Sequence, residues 1–206
     1  MVRKTHHKNM AKRDIDFLFE VGSLRNIPRA WQQILSGRVQ NIPEHVFRMA
    51  LIAWIIAIAE KADTNKVLKM CLVHDISESR ATDIAFMHRE YVTRHEELAE
   101  KHIFQSTTFE KEVAKIFEEY NRRESLEAKI VKDADNLDID LELKELAKIG
   151  DTSAVQMQKE HRPKIRAKKL YTRTAKKMWD DIQKTNPNGW HQSLSNNWVK
   201  NKKSAK

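Results

Sequence analysis

Cysteine, glycine and proline are all scarce in this sequence of 206 residues, which has one cysteine, four glycines and four prolines. The single cysteine, Cys71, excludes an intramolecular disulfide and predicts a reducing, cytoplasmic environment. So few glycines and prolines exclude collagen-like and low-complexity chains and argue against an all-β fold with many turns. A chain of this length is expected to form one domain around one core, with at most a small appendage.

The sequence also has no long hydrophobic run. Its longest nearly unbroken apolar segment, residues 49–59, is well short of the roughly 18 residues that a membrane-spanning helix needs. The basic N-terminus is followed by no apolar segment, so no secretory signal is expected. These absences predict a soluble protein without a membrane partner.

Positive charge is in excess, and the excess sits at both ends of the chain. The formal net charge is +9, from 38 Lys and Arg against 29 Asp and Glu. Residues 1–13 hold five basic residues and residues 200–206 hold four, with no acid in either segment. Residues 159–177 form a further basic stretch, with nine Lys or Arg and a single acid, Glu160. Solvated tails and a charged helix face account for this pattern; nucleic-acid binding through the basic segments is the alternative, which we do not favour.

Hydrophobic periodicity predicts an all-α chain with about seven or eight helices. Residues 43–61 are apolar on nearly every side, which predicts a helix at the centre of a bundle. A second apolar helix is expected to begin at an Asp63 cap and to run toward Glu78. A long helical pattern covers 126–149 and stops at Gly150.

Shorter elements complete this prediction. The three histidines His88, His95 and His102 are spaced seven apart, which we interpret as a polar stripe on one helix face rather than a second metal site. The other expected elements are a helix capped by Asp14, a short helix over 29–35, amphipathic helices over 88–104 and 108–121, a capping box of Thr107 with Glu110 for the latter, one basic helix over 163–184, and a terminal element over 190–199.

Acids and imidazoles stand at several positions where these helices should be apolar. His45 opens the first apolar helix, the pair His74 and Asp75 follows the second apolar run, and Asp135 lies within the long helix. Burial of neutral polar groups without partners costs roughly 2–7 kcal/mol each, and ions cost more. One divalent cation would compensate all four, because imidazole nitrogens and carboxylate oxygens are ordinary ligands of zinc, manganese, iron and cobalt.

A hydrogen-bonded core or an exposed helix end is the simpler interpretation of each of these residues alone. Adjacent helical residues also point about 100° apart, so His74 and Asp75 can reach one ion only from a helix end or with bent side chains. The residue pattern by itself leaves the metal site and this alternative open.

The ordered segments between residues 14 and 149 resemble a known family. They are FLFEVGSLRNIPRAW at 17–31, PEHVFRMAL at 43–51, LKMCLVHDISE at 68–78 and TDI at 82–84. Together they resemble the HD-domain metal-dependent phosphohydrolase superfamily, and within it the HD-domain 5′-deoxynucleotidases. The resemblance implies a compact multi-helix HD-domain bundle, here with a basic C-terminal helical extension. The implied domain covers 14–184, between a flexible basic arm at 1–13 and a C-terminal segment with a basic tail at 185–206.

The resemblance also implies an activity and its requirements. It implies a metal-dependent 5′-nucleotidase that hydrolyses (deoxy)ribonucleoside 5′-monophosphates. The implied cofactor is one divalent ion, drawn from Mn²⁺, Co²⁺, Fe²⁺, Ni²⁺, Zn²⁺ and Mg²⁺. The resemblance further implies a homodimer, for which Trp179, Trp190 and Trp198 offer apolar surface, although burial in the monomer core explains them equally. Hydrolysis of another phosphate ester or of a nucleoside polyphosphate, and nucleic-acid binding on an idle HD fold, are the alternatives.

Site residues follow from the resemblance position by position. Asp135 is preferred to Asp133 because the second Asp of the segment 132–137 aligns with the family's ligand. Glu78 is implied to act on the nucleophilic water and, with Asp75, is a predicted catalytic residue. Asp83 is implied to hold the sugar. The implied metal ligands are His45, His74, Asp75 and Asp135, and the implied contacts to phosphate and nucleoside are Arg29 and Trp31.

Each substrate-side residue also has a simpler interpretation. Glu78 would be a solvated acid at a helix end, Arg29 a surface charge, Trp31 a core residue, and Asp83 the cap of a following helix. Thr82 departs from the family, which usually has glycine before the loop aspartate. Because glycine permits a positive φ, this departure leaves the loop geometry and the sugar contact open.

Overall fold

The computed structural model describes residues 12–192, which form helices joined by turns and contain no β-strand. An isolated β-bridge pairs Pro28 with Asn41. The all-α prediction is therefore confirmed for this part of the chain, with more and shorter helices than expected. Most of the predicted arm and tail, and Trp198, lie outside the described residues. The α-helices are α1 (Lys12–Ser23), α2 (Ile42–Glu60), α3 (Thr64–Val73), α4 (Glu78–Ala81), α5 (Glu96–Phe104), α6 (Glu110–Arg122), α7 (Leu126–Lys148), α8 (Thr152–Glu160), α9 (Arg162–Lys168), α10 (Arg173–Lys184) and α11 (Gly189–Gln192), and 3₁₀ helices cover Leu24–Asn26, Ala30–Gln33 and Phe86–Glu90.

Helices α2, α3 and α7 form the centre of the bundle. Helix α2 begins at Asn41, whose side chain accepts a hydrogen bond from the backbone N–H of Glu44 while the Glu44 carboxylate accepts one from the backbone N–H of Asn41. Helix α3 begins at the predicted Asp63 cap, whose carboxylate accepts from the backbone N–H of Lys66. The main core cluster lies between these helices and includes Met49, Ile52, Ile56, Val67, Met70, Ile130, Val131 and Leu137.

One side of α2 is apolar and exposed, although the helix is central as predicted. Successive steps of three and four residues place these side chains on one face. By length and composition α2 could cross a bilayer, but it carries His45 and Arg48 into polar contacts and packs against α3 and α7. It is therefore a core helix of the bundle with one uncovered apolar face. The residues of this face are Phe47, Leu51, Trp54, Ile55 and Ile58.

Helix α7 is the longest helix of the described chain, and its ends follow the sequence signals. The Ser125 side chain accepts from the backbone N–H of Ala128 and caps its start. Gly150 follows its last turn with a φ of 100°, a conformation that L-residues rarely adopt. The predicted stop at Gly150 is therefore confirmed. The whole helix lies within the bundle, so it brings carboxylates to two different sides of the core.

The prediction of one basic helix over 163–184 is wrong, because the segment is broken between α9 and α10. At the break, the backbone N–H groups of Tyr171 and Thr172 donate to the buried Asp133 carboxylate at 2.7 and 2.8 Å. The Thr172 hydroxyl then accepts from Ala175 N and caps α10. A continuous helix would need both backbone groups for its own ladder. The C-terminal helices pack against α7 and complete the bundle.

The predicted helix over 88–104 is also wrong as a single element. A segment without helical structure separates the 3₁₀ helix Phe86–Glu90 from α5. His88 lies in the 3₁₀ helix, His95 precedes α5, and His102 lies within α5. The three histidines therefore do not share one helix face, and the predicted stripe does not exist.

Two predicted helix caps make other contacts instead. Asp14 lies within α1, and its carboxylate accepts from the backbone N–H of Thr108 at 2.7 Å, which ties α1 to the start of the α6 region. The Thr107 hydroxyl donates to the Phe104 carbonyl at 2.7 Å, and Glu110 accepts from a backbone N–H four residues earlier. Helix α6 consequently begins without a side-chain cap.

Candidate metal centre and active site

Three side chains from three helices converge in the interior. His45 lies in the first turn of α2, His74 directly follows α3, and Asp135 lies in the middle of α7. All three residues are buried, and one ligand atom from each lies within 4.8 Å of the others. The packing of α2 against α3 and α7 is what brings these distant parts of the chain together.

Asp75 joins this cluster from the residue next to His74. Its Oδ2 lies 3.1 Å from His74 Nε2 and 3.7 Å from His45 Nε2. The two neighbours can share one centre because α3 ends at Val73 and the chain then enters a turn. The helix-end arrangement required by the sequence is therefore present.

Both imidazoles are oriented by hydrogen bonds on the far side of their rings. His74 Nδ1 donates to the Cys71 carbonyl at 2.9 Å, so the ring turns its Nε2 toward Asp75. His45 Nδ1 lies 2.6 Å from Asp138 Oδ2. Both Nε2 atoms are buried and lack a hydrogen-bond partner. A ring fixed through one nitrogen with the other nitrogen free is the usual arrangement of a metal-ligating histidine.

The electrostatics also suit a cation. Burial opposes the ionised form of Asp75, but His74 and Arg29 outweigh it and hold the pKa of this carboxyl well below its usual range. Burial is likewise outweighed at Asp135, whose pKa is lowered by Lys132 and His45. Against its own burial, the pKa of His45 is raised to about 9 by Asp135 and Asp138. This donor set of imidazole and carboxylate groups fits a divalent metal ion, which satisfies both free nitrogens at once.

Arg29 lies beside the cluster and is buried, so it is not a surface charge. Its Nη1 lies 3.0 Å from Asp75 Oδ2, its Nε lies 3.4 Å from Asp83 Oδ2, and its Nη2 lies 3.9 Å from Asp135 Oδ1. Asp83 also accepts from the backbone N–H of Ala30 at 3.0 Å. Asp83 therefore holds the Arg29 loop and does not cap a following helix.

Glu78 is the first residue of α4 and is buried rather than solvated. Its Oε2 has no hydrogen-bond partner, and its Oε1 lies 4.0 Å from the Arg94 guanidinium. Burial raises the pKa of Glu78 to about 9, and the neighbouring carboxylates of Asp75 and Asp83 add to this effect. A carboxyl group with a perturbed pKa beside a cation site is a candidate for proton transfer.

Trp31 lies two residues after Arg29, in the 3₁₀ helix Ala30–Gln33. It is half-buried and packs against the apolar cluster that includes Leu35, Val39 and Leu143. This contact supports the simpler interpretation of Trp31 as a core residue. Thr82, by contrast, has a φ of 56°, so the turn keeps a backbone conformation that favours glycine.

Three residues of the site were not found from the sequence. Asp138 holds the His45 ring, Lys132 Nζ lies 2.6 Å from Asp135 Oδ2, and Arg94 approaches Glu78. Lys132 and Asp138 each lie three residues from Asp135, and this spacing places all three on one helix face. That spacing was the available signal, whereas Arg94 has no comparable signal.

The chain is similar in sequence and in fold to several known proteins. The 5′-deoxynucleotidase HDDC2 of Homo sapiens is 33% identical over 137 residues, which cover 64% of this chain and 67% of that protein. A structure described as a predicted metal-dependent phosphohydrolase from Magnetospirillum magnetotacticum is 26% identical and superimposes with a TM-score of 0.58. The superposition covers 84% of this chain and 94% of that one. The fold is also similar to that of the HD phosphohydrolase DatZ of cyanophage S-2L, bound to dA and one catalytic Zn²⁺, at 21% identity over 81% of this chain and 96% of that one, with a TM-score of 0.53. The profile of the HD domain matches residues 21–186, well over half of the sequence, and the chain therefore belongs to the HD domain family.

Proposed function

We propose that this protein is a metal-dependent 5′-nucleotidase that hydrolyses (deoxy)ribonucleoside 5′-monophosphates to a nucleoside and inorganic phosphate. The observation that carries the proposal is the pair of buried, unpartnered Nε2 atoms of His45 and His74, which face two carboxylates beneath the buried Arg29. Relatives from human, cow and mouse, each 32–33% identical, are named 5′-deoxynucleotidase HDDC2, which favours this substrate class.

His45, His74, Asp75 and Asp135 are the proposed ligands of one divalent ion. Such an ion, when bound, supplies Lewis acidity toward a phosphoryl oxygen and lowers the pKa of a water molecule. Asp138 would keep the His45 ring in place, and the Cys71 carbonyl would do the same for His74.

The remaining site residues would bind the substrate or transfer the proton. The Arg29 guanidinium, once a phosphate competes for it, neutralises charge on the phosphoryl oxygens with bidentate geometry. In the metal-free chain burial and the nearby carboxylates hold Glu78 in its protonated form, and a bound cation would lower the pKa of Glu78 by offsetting the charge of Asp75. The Glu78 carboxylate would then accept or relay the proton that the attacking water loses as its oxygen bonds to phosphorus. The bond from phosphorus to O5′ breaks, and O5′ leaves as the nucleoside hydroxyl after it gains a proton. The resemblance further assigns the sugar to Asp83, beside its contacts with Ala30 and Arg29, and the nucleoside to the exposed part of Trp31, whose remainder packs against the core.

Hydrolysis of another phosphate ester or of a nucleoside polyphosphate is the second candidate, since the metal cluster does not distinguish these substrates. Nucleic-acid binding on an idle fold is less well supported. Within the basic stretch, Arg162 is bound to Asp140, Arg166 to Asp180 and Lys177 to Asp181. Part of the positive charge of this stretch is therefore paired with aspartates of the same chain rather than left for a nucleic acid.

We also propose that two copies of the chain associate through the exposed apolar face of α2. This face presents Phe47, Trp54, Ile55 and Ile58, and exposed apolar patches of this kind mark interaction sites. Trp190 is exposed as well, whereas Trp179 packs against the core. The division into an arm at 1–13, a domain at 14–184 and a C-terminal segment at 185–206 remains a prediction, as does a cytoplasmic location.

Two experiments test the proposed activity. Asp75→Ala is expected to remove bound metal and hydrolysis while the chain stays folded, and full metal content in this variant would contradict the ligand assignment. A panel of nucleoside 5′-monophosphates assayed with Mn²⁺ or Co²⁺ tests the substrate class. Absence of phosphate release from every member would reject the nucleotidase while leaving the metal site in place, and release from polyphosphates alone would favour the second candidate.

A further inference from the structure

A strained turn follows the helix that carries Glu78. Thr82 ends α4 with a φ of 56° and a ψ of 159°, and its backbone N–H donates to the Glu78 carbonyl at 2.9 Å. A β-branched residue in this region is a genuine outlier, and such conformations persist only where the surroundings fix them. Something in the structure must therefore hold this turn.

The Arg94 side chain bonds directly to this turn. Its Nη1 donates to the Thr82 carbonyl at 2.5 Å and lies 4.0 Å from Glu78 Oε1, while its Nη2 pairs with Glu96 at the start of α5. The side chain is only 14% exposed. One guanidinium thus connects the turn, the candidate proton-transfer acid and α5.

The turn leads directly to the residue that fixes Arg29. Asp83 accepts from the backbone N–H of Ala30 at 3.0 Å and lies 3.4 Å from Arg29 Nε. A change in the Thr82 backbone would move Asp83, and Asp83 would then release both the loop and the guanidinium. Arg94 is therefore connected through Thr82 and Asp83 to Arg29, the residue proposed to bind phosphate.

We propose that Arg94 is a positioning residue, which clamps the strained Thr82 turn so that Asp83 keeps Arg29 aimed at the metal cluster. The catalytic part of this inference rests on the proposed nucleotidase activity. The clamp itself does not, because it concerns only the folded chain.

The test is a double-mutant cycle in the full chain with Thr82→Gly and Arg94→Ala. Glycine adopts a positive φ without strain, so the turn should need its clamp less in the Thr82→Gly background. With Mn²⁺ and deoxyadenosine 5′-monophosphate, Arg94→Ala is expected to lower kcat/KM about 10- to 100-fold in the wild-type background, as misplaced catalytic groups do. In the Thr82→Gly background the loss should shrink to roughly a third or less of that factor, and Arg94→Lys, which retains one donor for the carbonyl, should recover part of the activity.

Arg80→Ala is the matched control, because Arg80 lies two residues before Thr82 and pairs with Glu20 instead. It is expected to leave kcat/KM within about twofold of the wild type, as surface ion pairs contribute little. An equal loss for Arg94→Ala in both backgrounds, or an equal loss for Arg80→Ala, would overturn the proposal.

Thermal unfolding of the metal-free protein tests the clamp without any substrate. Arg94→Ala is expected to lower the melting temperature by about 3–6 °C in the wild-type background and by distinctly less beside Thr82→Gly. Additive shifts would reject the clamp. If the wild type hydrolyses no nucleotide, the proposed function fails while this cycle still decides whether Arg94 holds the turn.

Discussion

Two faces of helix α7 carry buried aspartates, and the two pairs behave differently. Asp133 accepts from Tyr171 N, Thr172 N and the Thr172 hydroxyl, and Asp140 makes a bidentate pair with Arg162 at 2.7 Å. On the other face, Asp135 and Asp138 face His45, whose Nε2 remains without a hydrogen-bond partner. The first pair fastens the C-terminal helices to the bundle, and the second pair contacts His45 in the proposed metal site.

Burial of a carboxylate does not by itself mark a functional site. Burial raises the pKa of Asp133 and Asp140 despite their hydrogen bonds. At Asp135 and Asp138 burial is outweighed, and Lys132, Arg48 and His45 lower the pKa of these carboxyls. The distinguishing feature is a set of acids that converges on buried imidazole nitrogens without a hydrogen-bond partner, a set that a cation would complete.

The largest expected contrast is between Asp135→Ala and Asp133→Ala. Asp135→Ala should abolish metal binding and lower hydrolysis by at least about 10³-fold, because a ligand is lost. Asp133→Ala should leave two backbone donors without their acceptor and lower the free energy of unfolding by about 2–4 kcal/mol, with metal binding retained. Metal content by mass spectrometry and urea unfolding measure the two effects. Loss of metal from both variants would contradict the assignment of Asp133 to a purely structural role.

A second contrast uses the next pair along the helix. Asp138→Asn should weaken metal affinity about 10- to 100-fold, because His45 Nδ1 loses its charged partner. Asp140→Asn should leave the affinity unchanged and destabilise the fold by about 2–4 kcal/mol, because the Arg162 guanidinium remains buried without its counter-charge. Isothermal titration with Mn²⁺ and urea unfolding provide the measurements. Equal affinities of the two variants would contradict the assignment of Asp138 to the cluster.

The pH dependence of stability tests whether burial keeps Glu78 in its protonated form. In the metal-free protein the pKa of Glu78 is raised from 4.5 to about 9 by burial, so folding favours its protonated form. This contribution is present at low pH and is lost as the pH rises toward 9. Glu78→Gln mimics the protonated acid, so its melting temperature should match the wild type at pH 5 and exceed it by about 3–6 °C at pH 9.

Calorimetry in the presence of a chelator measures this difference. His45, whose pKa is also raised to about 9, loses its contribution in the same range in both proteins and cancels in the comparison. Parallel curves for the two proteins would show that Glu78 is not held in its protonated form.

The smallest expected effect concerns the face of α7 that carries Asp133 and Asp140. Thr172→Ala removes both the cap of α10 and the hydroxyl donor to Asp133. We expect a loss of about 1–2 kcal/mol in the free energy of unfolding, typical of a lost cap, with unchanged kcat and metal affinity. A change in metal affinity would show that the two faces of α7 are energetically coupled.

Local signals in the sequence predicted the elements that depend on neighbouring residues. The Asp63 cap and the stop at Gly150 are confirmed, because each acts within one helical turn. The break between α9 and α10 was not predictable in this way, since the acceptor for its backbone donors is Asp133, nearly forty residues earlier in the chain. Long-range hydrogen bonds of this kind overrode the local helical pattern.

The site shows the same limit. His45, His74 and Asp75 stand out because polar residues interrupt apolar helices, and the structure brings them together with Asp135. Periodicity could not choose between Asp133 and Asp135, because both are buried, and only the resemblance preferred the second. Asp138 is read as a site residue only once its contact with His45, 93 residues away in the chain, is known.

Anomalous diffraction from crystals soaked in Mn²⁺ tests the central claim most directly. We predict one strong peak within about 2.0–2.3 Å of His45 Nε2, His74 Nε2 and an oxygen of Asp135, and no peak beside Asp133 or Asp140. A map without a peak between the two imidazoles, recorded from crystals that hold Mn²⁺ elsewhere, would contradict the account.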